Sequence, residues 1–262
     1  MRKSLPYFLP LDQIWNEISE FFQQKPLGRP RIHAPYTILK AIFYIAKTGC
    51  QWAELPPNHP PYKTVHHYFR KWTQDGIWEI ICRKIRKIVR IKSDRNPRST
   101  GISIDSQSVK TFYGSGAVGY DGHKKVKGRK RHLMTDSLGL LIFVICLREN
   151  IHDIKGGRML INRLRKDPDL CDVLYINADQ AYISLDTKEH KAKVKISSIP
   201  KGTGFKPVPQ RWKIERSISW LRGYRRLNMD YEKKTRYSEA WVYISFIQIM
   251  AKKLEKLGKL LG

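Results

Sequence analysis

Across Lys92-Ser93-Asp94-Arg95-Asn96-Pro97-Arg98-Ser99-Thr100 the hydrophobic period of the chain changes. Before this stretch apolar residues recur at helical spacing; after it they alternate or fall in short runs, the patterns of strands. A hydrophilic, Pro-containing stretch between two such patterns marks a domain boundary. The chain of 262 residues therefore reads as a helical unit, residues 1–95, followed by an α/β unit, residues 96–262. It is long enough for a sizeable core.

In the first part, Leu11 to Phe22 carries Ile14, Ile18, Phe21 and Phe22 on one helical stripe, with Asp12 as a candidate cap. A basic loop rich in Pro and Gly, Pro26 to Arg31, breaks the pattern. Further helices are expected from Tyr36 to Thr48, ending at Gly49, from Thr64 to Trp72, and from Ile77 to about Ile91 after Gly76. Such short helices with Gly or Pro turns suggest a helix-turn-helix type module. Trp52, Trp72 and Trp78 are expected in its core. In the second part, strands are expected over Ile102–Val109, Arg129–Asp136, Leu140–Leu147, Leu174–Ala178 and Val194–Ile199, with Val118–Gly128 a hairpin or loop. Helices are expected from Asp153, as cap, to about Arg165, from Pro209 to Leu227, and from Ser238 to Leu257. Three strands, helix, strand, strand, helix is the order of a ribonuclease-H-like α/β domain.

Fifty Lys and Arg against 23 Asp and Glu give a net charge of +27. A field of that size attracts nucleic acid or an anionic membrane. No apolar run reaches the ~18 residues of a membrane span, and Met1 to Pro6 lacks the apolar stretch of a signal peptide. Cys50, Cys82, Cys146 and Cys171 are scattered without metal-ligand spacing, as expected of free thiols in a reducing compartment.

In this basic chain three acids stand out. Asp105 ends the alternating Gly101-Ile102-Ser103-Ile104; Asp179 closes the apolar Val173 to Ala178; Glu215 lies in the helical Arg211-Trp212-Lys213-Ile214-Glu215-Arg216. A single Asp at a strand end is more often a turn or cap residue. Three acids in the order strand, strand, helix can also converge as oxygen ligands for two hard cations ~3.5–4 Å apart, the arrangement of phosphoryl-transfer sites. Arg211, Glu215 and Arg222 share a stripe of the expected helix, which fits either a solvated ion pair or an acid on a metal with guanidinium groups toward phosphate. Lys124 to Arg131 is a dense cationic run, either a solvated hairpin or a phosphate-backbone contact. His132 beside it is expected to be structural. Gly28-Arg29-Pro30-Arg31 fits a minor-groove arm or a plain linker.

These residues resemble the DDE transposases of bacterial insertion sequences, in the group typified by insertion sequence five. The resemblance spans nearly the whole chain. It rests on Ile104 to Lys110, Gly119-Tyr120-Asp121-Gly122, Lys125 to His132, Thr135-Asp136, Gly139, Asn177-Ala178-Asp179 and Arg211 to Arg216. It continues through Trp220-Leu221 and Tyr224 to Leu227 and, in the helical half, through Gly28 to Arg31, Thr48 to Trp52, Leu55-Pro56, Thr64-Val65, Phe69, Trp72 and Gly76-Ile77-Trp78.

The resemblance implies an RNase H-like catalytic domain preceded by a small helical DNA-end-binding domain. It implies Asp105, Asp179 and Glu215 as catalytic, metal-binding triad, for two Mg2+ ions with Mn2+ able to substitute. DNA contacts are expected from Arg29, Arg31, Lys125, Lys127, Arg129, Lys130, Arg131, Arg211 and Arg222. The implied partners are double-stranded DNA, as terminal inverted repeats and as target, and a second copy in a homodimer or larger assembly on paired ends. No membrane partner and a cytoplasmic, nucleoid-associated bacterial setting follow. The chain departs from the family at Val208, where a Tyr is frequent, and in the short, Lys-rich segment between Asp179 and Arg211. The residues up to Ser93 are expected to fold alone and to carry the preference for end sequences. Alternatives are a catalytically inactive or domesticated DNA-binding regulator, which has no need of all three acids, and a metal-dependent endonuclease without strand transfer.

Overall fold

The computed structural model describes residues 11–23, 30–112, 116–185, 192–196 and 209–261. The side chains of 209–211 and 259–261 are outside this description, as are the departures at Val208 and in most of the segment before Arg211.

Helix α1 (Asp12–Ile18) tightens into a 3-10 turn, Ser19–Phe22, and is followed by α2 (Pro35–Thr48), α3 (Tyr62–Gln74) and α4 (Ile77–Ile91). Pro35 opens α2 at a position where its missing N–H costs nothing. Gly49, at φ 70°, closes α2 with its N–H on the Ile45 carbonyl at 2.9 Å. Asp12 does not cap α1; its Oδ1 accepts from the Tyr36 hydroxyl at 2.6 Å, pinning α1 to α2. In α4, Trp78, Ile81, Cys82, Ile85 and Val89 form the buried stripe that the 3.6-residue period requires.

The remainder supplies β1 (Gly101–Lys110), β2 (Gly119–Asp121), β3 (Val126–Asp136), β4 (Leu141–Arg148), α5 (Asp153–Arg165), β5 (Tyr175–Ala178), β6 (Lys193–Ile196), α6 (Pro209–Leu221) and α7 (Thr235–Leu261). The strands form one mixed sheet in which β3 lies at the centre. It pairs antiparallel with β1 along one edge and, along the other, with β2 and then β4. On the far side of β1, β5 and then β6 add in parallel. This is the RNase H-like order. Ile102, Ile104, Met134 and Ile176 pack on one face with Leu160, Ile161 and Leu164 of α5. Leu133, Leu141, Val144 and Cys146 pack on the other with α4, α6 and α7.

Two expected boundaries move. Helix α6 ends at Leu221, and Arg225–Leu227 is a separate 3-10 turn, so the stripe from Arg211 to Arg222 is not one helix face. The cap of α5 is His152, whose Nδ1 accepts from the Ile154 N–H at 3.3 Å, not Asp153.

The change of period at Lys92–Thr100 coincides with the passage from α4 to β1, yet the hydrophobic core runs straight across it. The core of α1 to α4 is continuous with α7 and with β4. Trp241 of α7 stacks on Phe69 of α3, ring centres 4.5 Å apart, and reaches Trp52 at 5.8 Å. Arg86 of α4 donates to the Leu141 carbonyl at 2.9 Å, and Arg90 pairs with Asp136 at 2.8 Å with both side chains buried. The expectation that residues up to Ser93 fold alone thus meets a core completed from residue 235 onward. Removing the Trp241 ring leaves a cavity where both parts meet, and Trp241→Ala should cost ~3–5 kcal/mol. Denaturant unfolding followed by far-UV and near-UV circular dichroism should show one shifted transition. Two transitions, only one of them moved, would mean that the parts unfold separately.

Candidate active site

Strands β1 and β5 are parallel neighbours, with Ser103 opposite Asn177. Two residues on, each strand carries an acid, so pairing alone brings Asp105 and Asp179 to adjacent positions at the same end of the sheet. Asn177 fixes the register by donating from Nδ2 to the Ile102 carbonyl at 3.1 Å. The chain turns sharply after Ala178. Asp179 is extended and caps the 3-10 turn Gln180–Tyr182, its Oδ1 accepting from the Ala181 N–H at 3.1 Å. Asp105 accepts from the Ser106 N–H at 2.7 Å.

Helix α6 lies against β1 and β5. Its Ile214 joins Ser103, Asp105, Asn177 and Asp179 in lining a cleft of about 10 Å3, room for a single ion or water. Glu215 is exposed on the same helix. The helix is held to the sheet by Ile214, Leu221 and Ser217, whose Oγ donates to the Gly139 carbonyl at 2.7 Å. Gly139 is at φ 80°, and a Cβ there would fall 2.5 Å from that hydroxyl. Only glycine therefore permits this approach of the β3–β4 turn to α6.

Burial pushes the Asp105 carboxyl up to about 7, with the Ser106 N–H opposing and the charges of Asp179, Glu215 and Asp153 adding to the rise. The charges that Asp105 feels most strongly are all negative. A hard cation would relieve a carboxylate held out of water among other carboxylates. The donor set therefore fits divalent metal: oxygen ligands on two strand ends and one helix. Among the described residues no three such side chains already stand close enough to form a cage. Asp105 and Asp179 are brought together, and Glu215 approaches from the helix within reach of their field.

The expected DNA-contacting residues separate sharply. Lys125 and Lys127 are exposed on the β2–β3 hairpin, and Arg222 is exposed just past α6. Arg129, Lys130 and Arg131 are buried, contrary to expectation. The reason is the centrality of β3: with strands on both edges and helices on both faces, its side chains cannot reach solvent. Arg129 pairs with Asp230 at 3.1 Å and donates to Ser238 Oγ at 2.9 Å. Lys130 pairs with Asp153 at 3.1 Å. Arg131 donates to the Leu227 carbonyl at 2.9 Å. Arg31 is also engaged within the fold, donating to the Phe22 carbonyl at 3.0 Å and lying 4.8 Å from the Tyr68 ring centre. Arg29 and the side chain of Arg211 lie outside the described residues. His132 is structural as expected: it is buried against the Tyr182 hydroxyl at 3.3 Å, and burial lowers its value to about 4.

Sequence reasoning took Asp153 for a helix cap only and passed over Gln107 and Asn228. Asp153 accepts from Ser106 Oγ at 3.1 Å and adds to the field on Asp105. Gln107 and Asn228 line a groove beside the acids, together with Ser108, Lys110 and Arg222. For Gln107 a signal was present: it stands two residues past Asp105, on the same strand face.

An RNase H-like sheet carrying acids on β1, after β5 and on α6 defines a class, the DDE nucleotidyl transferases. Comparison with known families gives the particular one. Residues 96–250 match the family described as "Transposase DDE domain" and residues 11–82 the one described as "Putative transposase of IS4/5 family". The chain belongs to the DDE transposases, and it is an enzyme of that type. Enzymes of this family act on DNA with divalent metal ions. No curated protein matches the chain. Among solved structures it is similar to the Mos1 mariner paired-end complex with Mn, at 13% identity over 95% of this chain and 85% of that one. The TM-score of 0.31 is too low to carry an argument. No helix among the described residues is long and apolar enough to cross a membrane.

Two predictions follow from this geometry. A carboxyl raised in the folded state costs stability from about pH 4 upward, where the unfolded chain ionises, and the cost is complete above about pH 7. In chelator at pH 8, Asp105→Asn should therefore be more stable than wild type, by on the order of 2 kcal/mol after allowing for solvent screening; at pH 4 the two should match. Equal melting temperatures at pH 8 would show that Asp105 carries no such burden. The second prediction contrasts the two ends of the cationic run. Arg129→Ala leaves Asp230 buried and unpaired and should cost ~3–5 kcal/mol. Lys125→Ala with Lys127→Ala should leave the melting temperature unchanged but reduce the salt slope of DNA binding by about two. An unchanged slope would remove these lysines from the DNA surface.

Proposed function

We propose that this transposase binds the terminal inverted repeats of its own element and carries out both DNA cleavage and strand transfer at Asp105, Asp179 and Glu215. The observation that carries the reading is the pairing of β1 with β5. It puts two carboxylates at one cleft under α6, where burial and like charge push Asp105 toward protonation and would favour a cation. Two Mg2+ ions, or Mn2+ in their place, would supply the charge that makes water nucleophilic at neutral pH and steadies the leaving oxygen. Asp105 and Asp179 hold their positions through the sheet, and Glu215 completes the set from the helix. In the first step water attacks the phosphorus at the element's end, and the bond to the 3′-oxygen breaks to leave a free 3′-hydroxyl. In the second, that hydroxyl attacks a target phosphodiester, forming the new bond as the target's own 3′-oxygen departs. Arg222 and the hairpin lysines Lys125 and Lys127 offer contacts to the backbone. The helical part, with α3 and α4 as its helix pair, reads the end sequence, and two copies act on paired ends.

The test is Mg2+-dependent nicking of a labelled duplex carrying the element's end, with Ca2+ as a binding-only control. Asp105→Asn, Asp179→Asn and Glu215→Gln should each lower nicking by at least ~10^3-fold, because each removes a ligand charge from the shared site. Binding in Ca2+ should persist. Asp75, exposed at the end of α3, is the control acid; Asp136 and Asp153 are unsuited to that use, since each neutralises a buried cation. Wild-type nicking by any one of the three variants removes that residue from the site. Nicking without joining to a second duplex favours the endonuclease alternative.

A further inference from the structure

We propose that the groove between the second half of β1 and the turn after α6 seats the nucleotide next to the cleaved phosphate, and that the amides of Gln107 and Asn228 read its base as adenine. The proposal rests on the transposase reading above. It concerns what the catalytic part recognises for itself, apart from the helical part.

Four observations carry it. The first is position. Gln107 follows Asp105 by two residues on β1 and points to the same face, about 7 Å further along the strand. A strand of DNA whose phosphate lies at Asp105 and that runs along β1 places its next nucleotide there. The second is size and lining. The groove is about 560 Å3 and is bordered by Gln107, Lys110, Leu221, Arg222, Leu227 and Asn228, within the ~300–1,000 Å3 of sites that hold a small ligand. Its exposed cations, Lys110 and Arg222, suit phosphate oxygens, while its floor is apolar and can lie against a base.

The third is an orphaned acceptor. Gln107 Oε1 has, among the described residues, no hydrogen-bond partner and no contact with solvent. Leaving it so costs ~1–3 kcal/mol, a cost lifted when the side chain turns its amide into the groove that it lines and meets a ligand that brings a donor. A carboxamide that accepts from N6 and donates to N7 matches adenine, whereas guanine and thymine present an acceptor where the donor is needed.

The fourth is rigidity. Arg131 holds the Leu227 carbonyl. Asp230, clamped by Arg129, donates its N–H to the Lys110 carbonyl at 2.9 Å and accepts from the Phe112 N–H at 2.8 Å. Both walls are thus tied to the sheet by buried groups, and an amide on a fixed wall discriminates better than one on a free loop.

The experiment uses the full chain and end duplexes that differ only in the base adjoining the nicked phosphate, varied on either side of it in turn. The bases compared are adenine, purine (which lacks the N6 amine), cytosine, guanine and thymine. Binding is read in Ca2+ by fluorescence anisotropy and nicking in Mg2+. On one of the two sides wild type should bind the adenine duplex about tenfold more tightly than the purine duplex, with nicking in the same order. In Gln107→Ala that ratio should fall to about one. In Asn228→Ala, an exposed change that leaves folding unaffected, it should fall at least severalfold and stands as the test should Gln107→Ala not fold. A wild-type ratio of one on both sides, a preference for guanine or thymine, or a ratio that survives both substitutions overturns the proposal. Nicking that is indifferent to the base defeats this inference and leaves the transposase reading standing. Base-dependent binding without nicking does the reverse.

Discussion

The architecture depends on how β3 disposes of three buried cations. A strand with neighbours on both edges and helices on both faces has no route to water, and Arg129, Lys130 and Arg131 occupy its middle. Each must be met by an acid or a carbonyl, because an unpaired buried charge is among the most destabilising features a core can hold. The partners are drawn from three distant places: Asp230 before α7, Asp153 at the start of α5, and the Leu227 carbonyl in the turn after α6. The need for neutralisation thereby fixes the elements that surround the acids. Asp153 is set beside Ser106 and Asp105, and the segment from Leu227 to Asp230 is set against the end of β1.

The same principle joins the helical part to the sheet. Arg90 of α4 is buried against Asp136, whose other oxygen accepts from the Leu138 and Leu140 N–H groups at 2.8 and 2.9 Å. That carboxylate both shapes the β3–β4 turn and anchors α4. Around it the aromatic contacts Phe22–Trp72, Trp72–Trp78 and Phe69–Trp241 carry one core from α1 through to α7. The helical part and the part that carries the acids are thereby held at a fixed distance, which on the proposed reading would suit a cut made at a fixed offset from a recognised site.

Much of this was legible in the sequence, for identifiable reasons. Helix α4 and strand β1 announced themselves by clean periods, and Gly49 and Gly76 marked helix ends because both adopt positive φ. The adjacency of Asp105 and Asp179 follows from closing two short buried strands in parallel. What was not legible depended on contacts between distant residues. A run of Lys and Arg looks solvated until its strand is known to be central, so Lys127 and Arg129, two positions apart, have opposite fates. The cap of α5 passed to His152 because Asp153 was needed by Lys130. The end of α6 at Leu221 was hidden because Tyr224 and Leu227 keep an apolar pattern in the following turn. The change of period carries no sign that α7, from residue 235 onward, packs on α3.

The arrangement of the three acids has a further consequence. Like charges at adjacent strand positions repel, the more so out of water. A helix carrying a third acid is not drawn to them by it. In this fold α6 is held by contacts on another side, through Ile214, Ser217 and Leu221, while Glu215 stays exposed and Asp105 is pushed toward protonation. The sheet thus fixes two acids rigidly, and the helix presents the third without pressing it home. A cation bound between them would remove the repulsion and the desolvation cost together, so its binding would gain from strain already present in the fold. Phosphate brings its own negative charge to the same place. On the proposed reading, metal would precede or accompany DNA at the acids, while the exposed Lys125, Lys127 and Arg222 would hold the duplex nearby in its absence.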